Sequence, residues 1–323
     1  MKSAHLRSVT FKGIALVASF LIVYLLIQAG VIDAFYQATI ATICINIVLG
    51  ASLNLITGFT GQFSLGHAGF MSIGAYTTAL MTLHYPSVWG FLGGLLLGSA
   101  IAAVLGLLIG LPTLRLRGDY LAIATLGMAE IIRVLMQNFT FTNGASGLFP
   151  ARFLNWPWMF LLTAGSVILI ANYIRSRPGR ESIAVREDEI AAASIGVNTT
   201  RAKTLAFVVG AFFGGLAGGM YGSYFYWIRP DTFNFLQSIN ILVIVVLGGL
   251  GSLSGSVIAA ILLGVVTTLL ADYPTVQMIL YAIVLIVLMV FRPQGLMGDR
   301  ELSLRLFGRL LPRRRPTERE VVP

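Results

Sequence analysis

Long apolar runs alternate with short polar joints along almost the whole chain. The runs occupy residues 13–32, 34–56, 64–83, 88–111, 120–141, 158–174, 205–228, 236–250, 257–271 and 276–291. A bilayer core of about 30 Å is crossed by about 20 apolar residues in a helix, so the pattern predicts ten transmembrane helices. The fold class expected is therefore all-α and polytopic. The eighth and ninth runs are short, which leaves room for a broken or re-entrant segment. Proline and glycine punctuate the joints, as in Tyr85-Pro86-Ser87, residues 112–118, Arg229-Pro230-Asp231 and Asp272-Tyr273-Pro274, where ring sterics or backbone freedom end a helix. One joint is different in kind. Residues 175–203 carry ten of the thirty-five charged side chains.

Composition excludes a soluble globule. Hydrophobic residues make up 57% of the 323 residues and charged residues 11%, with a mean hydropathy of +0.85, whereas soluble domains carry about 25% charge. The net charge of +9 does not point to nucleic acid, because the basic residues sit at span ends and form no basic face with interleaved aromatics. Cys44 is the single cysteine and lies mid-span as a packing residue, so no intrachain disulfide forms. One cysteine and three scattered histidines make no metal-ligand set, and no cofactor is expected.

Charge also sets the expected orientation. With the N-terminus in the cytoplasm, 19 of the 22 Lys and Arg residues fall on the cytoplasmic side: three before the first span, Arg115 and Arg117, six in 175–203, and eight in the tail. Arg152 and Arg229 fall outside and Arg133 lies within a span. The positive-inside rule then places both termini in the cytoplasm. The first run is long and followed at once by another, which reads as a retained signal-anchor helix rather than a cleaved signal peptide. Residues 1–291 form the expected transmembrane domain, with a cytoplasmic loop over 175–204. Residues 292–323 form a basic tail expected to be mobile near anionic lipid.

The polar island reads as a short helix with flanks. Glu187, Asp188 and Glu189 stand where a helix N-terminus favours acids, and Gly196 stands just past the end of the run. Asn198, Thr199 and Thr200 suit the cap of the seventh span. Such an element with small alanines fits a partner's cleft; a solvated linker between two halves is the alternative.

Few polar groups lie within the spans. Glu130 and Arg133 are three apart on one helix face and neutralise each other, as a structural ion pair or as a gate or substrate contact. His67 is read as a neutral ring bonded to neighbouring backbone. Asn46, Asn54 and Gln62 read as interhelical hydrogen bonds, and Asn54, Gln62, Ser64, His67, Glu130 and Arg133 are the candidates for lining a translocation path. Gly210, Gly214, Gly218 and Gly222 recur every fourth residue, the spacing of a packing ridge or a sliding surface. Gly58, Gly61 and Ser64 match Gly248, Gly251 and Ser254 at a constant offset of 190, a trace of a duplicated hairpin whose irregular backbone lines the path.

The segment Arg186-Glu-Asp-Glu-Ile-Ala-Ala-Ala-Ser-Ile-Gly-Val-Asn-Thr-Thr-Arg201 resembles the coupling loop of permease subunits from branched-chain amino-acid ABC importers of the LIV type, M-like subunit. Further matches are Gly58-Phe-Thr-Gly-Gln-Phe-Ser-Leu-Gly-His-Ala-Gly-Phe70, 118–127, Leu247-Gly-Gly-Leu-Gly251 and Phe291-Arg-Pro-Gln-Gly-Leu296. The resemblance implies a loop that docks on a cytoplasmic ATPase through Arg186, Glu187, Asp188, Glu189, Ala192 and Gly196. It also implies a homologous second permease, two ATPase subunits, an external solute-binding protein, the bacterial inner membrane, and leucine, isoleucine or valine as cargo. The general importer loop carries Glu-Ala-Ala, three residues and Gly; here Ile190 stands at the Glu position, with Glu189 one step early. The chain has no phosphate-binding Gly-x4-Gly-Lys-Ser/Thr loop, so energy comes from another polypeptide or an ion gradient. The alternative is an ion-coupled carrier or facilitative channel for a small polar solute such as urea or a short amide.

Overall fold

Through most of the apolar runs the chain is helical. The computed structural model describes residues 17, 18, 20–114, 116, 118–271, 273, 279, 283, 286, 287, 290, 291 and 295–298. Most of the tenth run, residues 13–16 of the first, and residues 299–323 of the tail lie outside them.

Ten named α-helices follow in order: α1 (Ala34–Thr57), α2 (His67–His84), α3 (Val88–Thr113), α4 (Asp119–Asn138), α5 (Trp156–Arg175), α6 (Arg177–Glu187), α7 (Glu189–Ser194), α8 (Thr199–Tyr224), α9 (Phe235–Gly248) and α10 (Leu253–Leu269). Residues 20–28 are also helical. Single 3-10 turns occupy Thr140–Thr142, Gly144–Ser146 and Pro230–Phe233. Among the described residues, four helices (α1, α3, α5 and α8) are long and apolar enough to cross a membrane, and α9 and α10 are shorter apolar helices.

Helix ends follow capping chemistry rather than hydropathy. Asn198 Oδ1 accepts from the Arg201 amide at 2.9 Å, so α8 starts at Thr199, six residues before its apolar run. The polar first turn is helical because its amides have a cap, whatever its affinity for lipid. Ser87, Asn234 and Ser252 cap α3, α9 and α10 in the same way. Conversely, α2 begins at His67 and not at Ser64, and Pro112 lies inside the last turn of α3 rather than in a joint. The island is two helices, α6 and α7, where one was expected.

Successive spans alternate in direction, and contacts gather their ends into two groups. The loops after α1, α3, α5 and α9 lie at one end, with the island; the loops after α2, α4 and α8 lie at the other. Helices α1 and α8 form the centre, each with 72% of its most apolar stretch buried, against 39% for α3 and 22% for α5. Their core includes Val48, Leu49, Leu53, Met71, Ala75, Ala217 and Met220.

Close helix approach depends on glycine. A methyl on Gly218 would run into the Met71 carbonyl, one on Gly74 into the Gly215 carbonyl, and one on Gly215 would sit 2.6 Å from Ala102 Cβ. The ridge Gly210, Gly214, Gly218 and Gly222 therefore seats α8 along the end of α1 and the length of α2, contacting in turn Ile56, His67, Met71 and Ala75. Between helices in lipid this contact replaces the hydrophobic drive available in water. Gly218→Ala is expected to cost about 1–3 kcal/mol through overpacking, lowering the melting temperature of the detergent-solubilised protein. Gly165→Ala, whose added methyl has nothing within 4 Å, is expected to leave it unchanged or raise it slightly.

Candidate functional site

At the island end, α1 and α9 both stop abruptly and their exits meet. Asn54, in the last turn of α1, is fully buried. Its amide nitrogen donates to Ser256 Oγ at 2.7 Å, to the Ser252 carbonyl at 2.9 Å and to the Gly249 carbonyl at 3.2 Å. Its Oδ1 accepts from the Gly251 amide at 2.9 Å. One side chain thus pairs the Gly251 amide, at depth and away from water where an unpaired amide is costly, and adds a second donor to the Gly249 and Ser252 carbonyls, which already accept from the Ser252 and Ser256 amides. Gly251 has φ +89°, and at Gly58 a methyl would strike both Asn54 Oδ1 and the Gly251 nitrogen. Glycine is required at both places. From across the chain, Leu296 and Met297 donate their amides to the Leu247 and Gly248 carbonyls, at 2.9 and 3.3 Å, closing the end of α9. The tail therefore remains attached to the bundle through residues 295–298.

The island joins the same spot. Arg186, near the end of α6, donates from Nη1 to the Gly58 carbonyl at 2.7 Å, and its side chain fills the space beside Gly61 and Gly251. Gln62 Nε2 donates to the Lys203 carbonyl at 3.1 Å, and Lys203 pairs with Glu189 at 2.7 Å. Asp188 accepts from the Ile190 and Ala191 amides at 2.8 and 2.9 Å and so starts α7. Glu187, paired with Arg186 at 3.4 Å, keeps a side chain 67% exposed. Ala192 is buried with Val185 and Ala202, holding α7 to its neighbours, and Gly196 turns the chain at φ +88°. Beside it Ile190 and Ile195 stand 78% and 79% exposed. The stretches 58–70, 186–201, 247–251 and 291–296 thus converge, and Leu65 adds 118–127 by donating its amide to Thr125 Oγ1 at 3.1 Å.

The other sequence-predicted residues divide. Ser64 is buried in the loop before α2, its Oγ 3.4 Å from the Gly66 amide. His67 bonds not to backbone but to the Ser52 hydroxyl, Nε2 to Oγ at 2.7 Å, while Oγ lies 2.9 Å from the Leu49 carbonyl. Ser52 donating to Leu49 leaves Oγ to accept from Nε2–H, and Nδ1 has no hydrogen-bond partner among the described residues. The absence of a side chain at Gly214 gives the imidazole its room, since a methyl there would stand 3.0 Å from Nε2. Glu130 and Arg133 do pair, at 2.7 Å, but lie toward the opposite end. There Arg133 also meets Asp231 at 3.3 Å, and Gln137 donates to Asp231 at 2.8 Å. Asp231 was not foreseen, because only the alternation of helix ends brings residue 231 beside residue 133.

A cleft of about 460 Å³ lies between α1, α9 and α10, in their halves remote from the island. Asn46, Thr42, Gln237, Asn240, Thr267 and Thr268 line it with apolar neighbours, and none of the six predicted path residues does. No group of three metal-ligating side chains occurs among the described residues.

Apolar helices joined through buried, glycine-dependent breaks define a multi-pass α-helical membrane protein. The chain belongs to the family described as branched-chain amino acid transport system / permease component, which it matches over residues 35–291. It is 38% identical over 298 residues to the high-affinity branched-chain amino acid transport system permease protein LivM of Salmonella typhimurium, covering 81% of this chain and 70% of that protein. It is 36% identical over 318 residues to LivM of Escherichia coli K12 (87% and 73%), and 25% identical over 289 residues to LivH of Salmonella typhimurium (79% and 92%).

Asn54→Asp keeps the shape but removes the amide donor facing Gly249, Ser252 and Ser256. It is expected to destabilise the protein by about 3 kcal/mol, because a buried carboxyl oxygen then faces three acceptor oxygens with no donor between them. Thermal unfolding in detergent checks this, with Asn54→Asp expected to melt well below Ser256→Ala.

Proposed function

We propose that the chain is the transmembrane permease subunit of an ATP-binding-cassette importer. It carries leucine, isoleucine or valine inward across the bacterial inner membrane after delivery by an external solute-binding protein. The observation that carries this reading is the 38% identity to LivM, extending over 81% of the chain. Its working partners are a homologous second permease and two cytoplasmic ATPase subunits, which supply the nucleotide site that this sequence lacks. Ten spans with both termini and residues 175–204 in the cytoplasm complete the topology. Family membership favours this reading over an ion-coupled carrier or a channel for urea or a short amide.

The island's geometry supports a specific coupling route. Large apolar side chains exposed on a polar element mark partner contacts, and here Ile190 and Ile195 flank the exposed part of α7, with Glu187 just before it. The ATPase engages this ridge. Of the three acids, Asp188 is committed to capping α7 and Glu189 to Lys203, which leaves Glu187 as the acid presented outward. Displacement of α6 then reaches the spans through Arg186 and the Gly58 carbonyl, and through Asn54 it reaches the α9–α10 break.

Proteoliposomes holding the four-subunit complex are expected to accumulate leucine only with internal ATP and external binding protein. Uptake by this chain alone on a proton or sodium gradient would overturn the reading. Glu187→Lys combined with Ile195→Glu is expected to abolish co-purification of the ATPases while the permease still reaches the membrane. Arg186→Ala removes a charge-assisted hydrogen bond of about 1.5–3 kcal/mol and is expected to reduce leucine moved per ATP hydrolysed about tenfold. An unchanged ratio counts against the route through Gly58.

A further inference from the structure

We infer that the uncovered face of α4 walls the water-filled path against the second permease, and that Glu130, Arg133 and Asp231 on it form a station for a zwitterionic α-amino acid. The inference rests on the functional reading above and extends it to named side chains.

Helix α4 has two unlike faces. Leu121, Thr125, Ala129 and Ile132, spaced by four, four and three, are buried, with Ala129 and Ile132 against Gly69 of α2. The opposite face is bare: Ile123 is 64% and Ile131 51% exposed, and a methyl on Gly127 would meet nothing within 4 Å. Glu130 lies on this bare face, its side chain 34% exposed, and the ion-paired Asp231 is 57% exposed. Eleven residues past the start of α4 and eight before its end, Glu130 stands roughly 17 Å and 12 Å from the two helix ends, beyond the reach of a short side chain to either. Lipid does not accept such a face. Ionisable groups within spans face protein or a water-filled cavity, because charge transfer into hydrocarbon is costly. The uncovered face of α3, with Leu97, Leu108 and Leu111, is aliphatic and suits lipid.

The cleft between α1, α9 and α10 does not make the same demand. Its Thr39, Thr42, Thr267 and Thr268 hydroxyls donate to carbonyls of their own helices or to one another, and none of its lining residues is charged. Asn46, Gln237 and Asn240 also line it, so the cleft is polar but uncharged.

At the α4 station one guanidinium lies between two carboxylates. Arg133 Nε meets Glu130 Oε2 at 2.7 Å, Arg133 Nη1 meets Asp231 Oδ1 at 3.3 Å, and Gln137 Nε2 meets the same Oδ1 at 2.8 Å. Among the described residues, Glu130 Oε1, Asp231 Oδ2 and Arg133 Nη2 take part in no hydrogen bond or ion pair. Two acceptors and one guanidinium nitrogen thus remain. An α-ammonium group offers three donors and an α-carboxylate accepts from a guanidinium, so a free amino acid matches both signs at once. A neutral amide or urea can form the same donor and acceptor pairs but brings charge of neither sign to them.

The test uses the complete four-subunit complex in proteoliposomes, in a Cys44→Ala background that removes this chain's single native thiol, with labelling read on this chain's own band after electrophoretic separation. A membrane-impermeant maleimide is applied to both sides of Ile131→Cys and, as the lipid-facing control, Leu108→Cys, in nucleotide-free and ATP-trapped states. The expected result is labelling of Ile131→Cys at least tenfold faster than Leu108→Cys in one state or both; equal rates in both states overturn the assignment of the face. Leucine moved per ATP hydrolysed is expected to fall at least tenfold in Glu130→Gln and to recover in Glu130→Asp. An unchanged ratio in Glu130→Gln overturns the station. The wild-type complex in the same vesicles separates this inference from the functional reading, since absence of ATP-driven leucine uptake there defeats the latter.

Discussion

The arrangement depends on a single buried amide. Asn54 ends α1 and at the same time holds the Gly251 amide and adds donors to the Gly249 and Ser252 carbonyls of the α9–α10 break, so two interruptions distant in sequence become one junction. Broken helices inside a membrane protein need such a device, because neither lipid nor bulk water is present to solvate the freed backbone. Gly58 and Gly251 are the steric counterpart of Asn54, allowing the two chains to approach closely enough for the amide to reach. Both polar atoms of the Asn54 amide are paired there, and pairing of this kind makes the junction rigid.

The polar island is held to that same point. A loop tethered only by its two ends would absorb a push, but α6 is anchored by Arg186 to the Gly58 carbonyl and α7 by Ala192 to the start of α8. The chain's charge is distributed accordingly. Near the island, charges are spent on caps and pairs that hold helices together, as with Asp188 and Glu189. Farther from the island, Glu130 and Arg133 of α4 and Asp231 of the Pro230–Phe233 turn remain partly exposed beside a bare helix face. Spent and partly exposed charge thus lie in different parts of the fold, with the glycine-seated bundle of α1, α2 and α8 between them.

Much of this was legible in the sequence. The apolar runs located the helices, the three-residue spacing gave the Glu130–Arg133 pair, and Asn198 marked the true start of α8. Glycines every fourth residue gave the α8 ridge. What hydropathy could not give were helix limits set by caps, such as the polar first turn of α8, or the division of the island at Asp188, which caps one helix while ending another. Nor could it pair residues far apart in sequence. The matching glycines at an offset of 190 hinted that two breaks are related, yet nothing in that pattern identified Asn54 as the link between them. The Ser52 hydroxyl beside His67 and Asp231 beside Arg133 are contacts of the same kind, created by packing and invisible to periodicity. The Ala192 side chain shows the converse: a small residue in an apparent docking run turns inward because α7 needs an anchor.

The central claim is that the island and the α9–α10 break move as one body when nucleotide is bound and hydrolysed. Spin labels at Ile195→Cys and Leu250→Cys, both exposed positions, report it directly by pulsed electron-resonance distances in the Cys44→Ala complex. The account predicts that this distance stays the same, within label uncertainty, between nucleotide-free and ATP-bound states. A shift of several ångströms between those states would contradict it.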